Sequence, residues 1–199
     1  MKKILITALL AALTAGSSFA QGQVGFGNTA SNAIFLNSGS TTTKMFGSAG
    51  TYDFGLYMGS AGTTSLSGMQ LVALALSPNA TTSTIFNAGL FSYTGGTVNS
   101  PGNVANTLNF AAGTQYAFFV AGWAASAGSY DNAVTTQAYN GLSALGFITP
   151  VSSPTPIPSV FGTSAGQIGG FTLAAGPEPA TIAIGGLGAA ALLLFRRRK

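Results

Sequence analysis

From Gln21 to about Ala175 the apolar residues fall in short runs broken by Gly, Ser and Asn, and several runs alternate with polar residues. In Tyr52-Asp53-Phe54-Gly55-Leu56-Tyr57-Met58, an extended chain would collect Tyr52, Phe54, Leu56 and Met58 on one side and Asp53 and Gly55 on the other. A period of two belongs to a strand, whose successive side chains point to opposite faces. Val104, Leu108 and Phe110 line up in the same way against Thr107 and Asn109. Leu71–Leu76 and Tyr116–Trp123 are apolar on both faces, which predicts strands in the interior of a sheet. Further runs predict strands near Ile34, from Thr84 to Tyr93, near Phe147 and over Ile168–Leu173. About eight short strands between turn formers predict a mainly β body, an antiparallel β-sandwich or jelly roll.

One segment breaks the strand pattern. Ser129 is a suitable N-cap, Tyr130, Val134 and Ala138 share a helical face, and Gly141 is a suitable stop. Asp131 in the first turn would complement the helix dipole. A single short helix is therefore predicted here. The four prolines between Pro150 and Ser159 predict a loop, since proline cannot donate to a sheet ladder.

The two ends have a different pattern. Lys2 and Lys3 precede the apolar stretch Ile4–Ala15, and Ser18-Phe19-Ala20 places small residues where signal peptidase requires them. Residues 1–20 are expected to be a signal peptide, helical in its apolar part and cleaved after Ala20. At the other end, residues 180–195 are apolar or small except for Thr181. As a helix these 16 residues would reach about 24 Å, slightly less than a hydrocarbon core of about 30 Å. Arg196, Arg197, Arg198 and Lys199 follow, and cations of this kind stay on the cytoplasmic side. Both ends thus place their cations inside and the body outside. Pro177 and Pro179 keep the backbone extended ahead of the membrane segment, with Glu178 held between them. The chain divides into a signal peptide (1–20), a body (21–175) and a tail (176–199).

The order Pro177-Glu178-Pro179, apolar segment, basic end resembles the PEP-CTERM sorting signal. That resemblance implies processing by exosortase, a membrane-embedded transpeptidase-like enzyme of Gram-negative bacteria that make exopolysaccharide. It implies transient residence in the inner membrane, followed by release to the cell surface or extracellular matrix. In the body, the stretch from Gly113 to Gly141 resembles secreted PEP-CTERM proteins of Verrucomicrobia-like bacteria, which implies no particular activity.

Charge and chemistry narrow the picture further. Only 5% of the residues are charged, and six of the seven cations lie at the two termini. A nucleic-acid interface needs clustered cations, so no nucleic-acid partner is expected. The chain has no His and no Cys, which removes the commonest general base, metal ligand and thiol nucleophile. The body carboxylates are Asp53 and Asp131, too few for an expected metal site and far apart in sequence for a glycosidase pair. No cofactor is expected. Gly25, Gly27 and Ala30 mimic a dinucleotide-binding glycine motif but lack a strand before them and a helix after them. The expected function is that of an exported, non-enzymatic protein of the cell surface or exopolysaccharide matrix. The alternative is a carbohydrate-binding or adhesive module. Trp123, Phe118 and Phe119 separate the two: exposed, they would form a sugar-stacking platform, and buried, they would be core.

Overall fold

In a computed structural model the protein is described over residues 21–99 and 108–176, and these residues are mainly β. Ten strands and one α-helix follow in chain order. They are β1 (Gln23–Gly27), β2 (Phe35–Ser38), β3 (Thr41–Lys44), β4 (Tyr52–Ser60), β5 (Gln70–Leu76), β6 (Ser92–Asn99) and β7 (Tyr116–Ala124). The helix α1 (Tyr130–Thr136) comes next, then β8 (Asn140–Leu142), β9 (Gly146–Ile148) and β10 (Thr172–Ala174). All ten strands join one sheet in the order β1-β6-β5-β4-β7-β8-β10-β2-β3, with β9 also on β7. The expected signal helix and transmembrane helix lie outside the described residues.

The two runs read as interior strands are interior. β7 pairs with β4 along its whole length, from Tyr52↔Ala124 to Ser60↔Tyr116, and its other edge is shared by β8 and β9. Tyr52, Phe54, Leu56 and Met58 point into the main core, as their alternation predicts. The outer side of β7 is covered as well. Ala133 of α1 packs on Ala121 and Trp123, while Met69, Leu66 and Leu145 pack around Ala117 and Phe119. This second cover is why β7 is apolar on both faces.

The sheet curls. Phe54 on β4 meets Phe171, just before β10, with ring centroids 6.4 Å apart, although two strands separate β4 from β10 in the sheet order. Backbone bonds carry the curl round to closure. The Gly25 N–H donates to the Pro158 carbonyl (2.8 Å), and the Val160 N–H donates back to the Gly25 carbonyl (3.0 Å). The Ile168 N–H then donates to Val160 (3.0 Å), and the Phe147 N–H on β9 donates to Gly166 (2.8 Å). The hydrogen-bonded path therefore returns from β1 to β9 and β7, covering edges that would otherwise invite pairing with another chain. β3 ends the other branch with Thr41, Thr42, Thr43 and Lys44, polar residues that suit an edge.

Several expectations are corrected. The strands are not all antiparallel, because β10 runs parallel to β2. The helix stops at Thr136, where Gln137 takes the left-handed conformation (φ 58°) as C-cap, and Gly141 lies in β8. Ala133 is its fully buried residue, with Tyr130 and Ala138 half-buried against the same cluster, whereas Val134 is exposed and does not share that inward face. Residues 108–110 form no strand, although Phe110 is buried. Val104 and Thr107 lie outside the described residues. The Pro150–Ser159 loop is confirmed, yet its carbonyls serve β1: Val151 accepts from Gln23 and Pro158 from Gly25. Proline lacks a donor but keeps its acceptor, which is what this edge uses.

The stretch Thr84–Phe91 is turn rather than strand. The Ala88 N–H donates to Ile85 and the Leu90 N–H to Asn87, and Gly89 sits at φ +78°, so the chain cannot extend before Ser92. Asn28 fixes this turn. Its Nδ2 donates to the carbonyls of Asn32 and Gly89 (both 2.8 Å), and its Oδ1 accepts the Phe91 N–H (2.7 Å). Asn28→Ala strips three bonds from partly buried backbone groups and is expected to cost about 1–3 kcal/mol, read from urea unfolding. An unchanged midpoint would show that water replaces the side chain freely.

Candidate functional site: the tail exit and the face around Trp123

The tail leaves the body at a defined place. Ser129 caps α1 by accepting the Asn132 N–H (3.2 Å), and the helix ends at Gln137. The Gly176 N–H donates to the Gln137 carbonyl (3.1 Å), and Ala174 pairs with Asn140. Gly176 is thus tied to the helix end, and Pro177 follows it directly. Asn140 in turn pairs with Trp123, beside the Tyr52↔Ala124 pair. The exit therefore lies at the end of the sheet where β4 and β6 begin and β5 and β7 finish. The start of the body lies at the other end, where the Gly22 N–H donates to Phe110 and Gln23 pairs with Asn99. The nine residues of β7 separate the two ends by about 26 Å at 3.3 Å per residue.

Pro177, Glu178, Pro179, Arg196, Arg197, Arg198, Lys199 and Ala20 all lie outside the described residues. The other residues singled out in the sequence can be placed. Phe118 is fully buried in the main core, while Trp123 and Phe119 lie beneath the outer cover at 2% and 8% exposure. They form core, and the sugar-stacking platform is not built from them. Gly25 and Gly27 belong to β1, and Ala30 opens a single 3₁₀ turn, so no strand–turn–helix surrounds them.

Asp53 sits opposite Trp123 on the outer face of β4. Asp131 stands in the first turn of α1, whose Tyr130 meets the Trp123 ring edge-on at 6.4 Å. Both carboxylates thus serve one outer face, together with Tyr57. Burial, then Asp131, then Tyr130 push the Tyr57 hydroxyl up to about 12. Burial and then Asp131 raise Tyr130 as well. These groups are held in their neutral forms, as suits a structural aromatic layer. Among the described residues no group of three or more His, Cys, Asp or Glu could hold a metal ion.

Burial raises the Asp53 carboxyl above 3.8. A raised acid favours the folded state while protonated. That contribution is fully present below pH 3.8 and is lost as pH rises through the folded-state value. Asp53→Asn is therefore expected to melt higher than the wild type at pH 7, with the difference closing below pH 3.8. A wild type that melts higher at pH 7 would mean that the carboxylate has a stabilising partner.

Sequence reasoning missed one feature. Phe86 is 89% exposed, and Leu76, Phe46 and Ile85 are also exposed. Beside them Asn28, Leu76, Pro78, Asn87, Leu90, Phe91 and Ser92 line a groove of about 410 Å³. Ile85 and Phe86 were absorbed into a predicted strand from Thr84. The signal against it was Asn87 and Gly89, two turn formers within five residues.

No helix among the described residues is long and apolar enough to cross a membrane. No curated protein and no solved structure matches the chain. The resemblance of Gly113–Gly141 to other secreted bodies therefore gains no support from a relative. Residues 177–199 match the family model of the PEP-CTERM protein-sorting motif. The chain thus carries at its C-terminus the signal of an exported protein, anchored in the membrane by that signal and processed by an exosortase-type enzyme.

Proposed function

We propose that this is a non-enzymatic protein of the cell surface or exopolysaccharide matrix of a Gram-negative bacterium, delivered there by its tail. The observation that carries this reading is the PEP-CTERM motif over residues 177–199. In that tail Pro177, Glu178 and Pro179 present the processing site, residues 180–195 span the inner membrane as a helix, and Arg196–Lys199 stop transfer. Signal peptidase removes residues 1–20 after Ala20. The body's chemistry supports a passive role: it has neither His nor Cys, and its carboxylates adjoin an aromatic layer rather than an open cleft. We read the curled sheet, with Phe54 and Phe171 facing across the core, as the sandwich or jelly roll that the strand spacing predicts. The burial of Trp123, Phe118 and Phe119 weighs against the alternative of a carbohydrate-binding or adhesive module, and any contact with matrix polysaccharide would use the Ser-, Thr- and Asn-rich surface.

Mass spectrometry of the mature protein from its native host tests the reading. The expected mass begins at Gln21 and lacks the Arg196–Lys199 end. A mature surface form that retains this end would reduce the tail to a plain anchor.

A further inference from the structure

The exposed apolar residues and the tail exit share one end of the body. Leu76 pairs with Asp53 and Ser92, and Asp53 pairs with Trp123, which pairs with Asn140 beside the exit. Ile85, Phe86 and Phe46 belong to the same end. The Gly89 N–H donates to the Met45 carbonyl (2.7 Å), and Gly47 and Ala80 exchange two bonds just beyond Leu76 and Ser77. From β5 to β10 the sheet order counts four spacings, a path of about 19 Å along the curled sheet at 4.8 Å each, while Phe46, just after β3, is two spacings from β10 along the other branch.

Chain length fixes what this end must face. Gly176 is held against Gln137, and the apolar segment begins at Ala180, four residues on. Four residues span at most about 14 Å. The headgroup layer is itself about 5–8 Å thick on each side of the hydrocarbon core. While the tail is anchored, the exit end cannot withdraw from the interface. That end carries Phe86 at 89% exposure, with Ile85, Phe46 and Leu76 beside it. Solvated apolar rings gain by entering the boundary between headgroups and acyl chains.

We propose that in the anchored precursor the exit end of the body rests on the outer surface of the membrane, with Phe86 inserted in the headgroup layer. This contact orients the long axis of β7 along the membrane normal, and it sets the body's start, at Gln21, on the side away from the bilayer. It also holds the Pro177–Pro179 site at a fixed height above the hydrocarbon. The proposal rests on the reading of the tail as a membrane anchor.

The chain has no Cys, so a single introduced thiol can be labelled without ambiguity. The full chain, with Phe86→Cys or Thr114→Cys carrying an environment-sensitive fluorophore, is reconstituted in phosphatidylcholine–phosphatidylglycerol vesicles containing lipids spin-labelled near the headgroup. Both positions are exposed, and Thr114 lies at the far end beside Tyr116. Flotation reports anchoring, and quenching reports contact. The expected result is that both variants float, the label at 86 shifts to the blue and loses most of its emission, and the label at 114 keeps its emission. Equal quenching at the two positions in floating protein would overturn the proposal and leave the anchor standing. A blue shift at 86 without lipid quenching would overturn it in favour of a second copy covering the patch. Protein that fails to float would overturn the anchor and the proposal with it.

Discussion

Phe54→Ala is expected to destabilise the body by about 3–5 kcal/mol, a large part of the roughly 5–15 kcal/mol that holds a domain folded. Phe54 is fully buried, and its ring stacks on Phe91 at 4.2 Å and 8° and meets Phe171 edge-on at 6.4 Å. It joins three parts of the chain: β4, the start of β6 and the approach to β10. Its partner across β7 is Gly122, where a Cβ would come within 2.7 Å of the Phe54 ring. The large ring and the missing side chain are complementary, so truncating the ring leaves a void that neighbouring strands cannot fill without breaking register. Phe86→Ala is the matched control. Its ring is 89% exposed, and its loss is expected to change stability by less than about 0.5 kcal/mol. Urea unfolding of the two variants reads both numbers. Similar midpoints would mean that Phe54 does not join those layers.

The contrast between these two phenylalanines shows what was legible in the sequence. Phe54 lies in a period-two run, and the run correctly placed Tyr52, Phe54, Leu56 and Met58 on the core side. Tyr116–Trp123 was correctly read as an interior strand because apolar residues on both faces need two covers, and β7 has two. Phe86 lies in an apolar run of similar strength. Its fate was decided by local turns at Ala88 and Leu90 and by Asn28, a residue 58 positions away that no local pattern could connect to it. Short strands were also missed where pairing rather than pattern creates them. β8 is Asn140-Gly141-Leu142, and it exists because Gly141 lets the Thr172 backbone approach: a Cβ there would collide with the Thr172 carbonyl oxygen. Asp53 and Asp131 were read as unrelated. That the helix carrying Asp131 folds back over Trp123, the cross-strand partner of Asp53, is a tertiary fact.

The tail was legible for a different reason. Its message is linear, carried by order and charge, and needs no long-range contact to be read. Two separable defects are expected from it. Glu178 is the only acidic residue of the tail and stands between Pro177 and Pro179, two residues that disfavour a helix. An enzyme that recognises it through a cationic group would use a charge-assisted hydrogen bond, and such bonds contribute about 1.5–3 kcal/mol. Gln keeps the size and an acceptor but loses the charge. Glu178→Gln is therefore expected to slow processing by roughly ten- to a hundredfold, with full-length, correctly oriented precursor accumulating in the inner membrane. Arg196, Arg197, Arg198 and Lys199 act differently. Each cation resists entry into lipid by about 2.5–3.5 kcal/mol on insertion scales, so on the proposed reading four in a row would set where the segment stops and hence the height of Pro177–Pro179. Replacing all four by neutral polar residues is expected to weaken retention, so that precursor slips or leaves the membrane fraction even with Glu178 intact. Immunoblots of membrane and extracellular fractions, in a host that has the sorting enzyme, separate the two defects by size and location. If Glu178→Gln is processed at the wild-type rate, the carboxylate is not what the enzyme reads. If the neutralised tail is retained and processed normally, the apolar segment alone sets its depth.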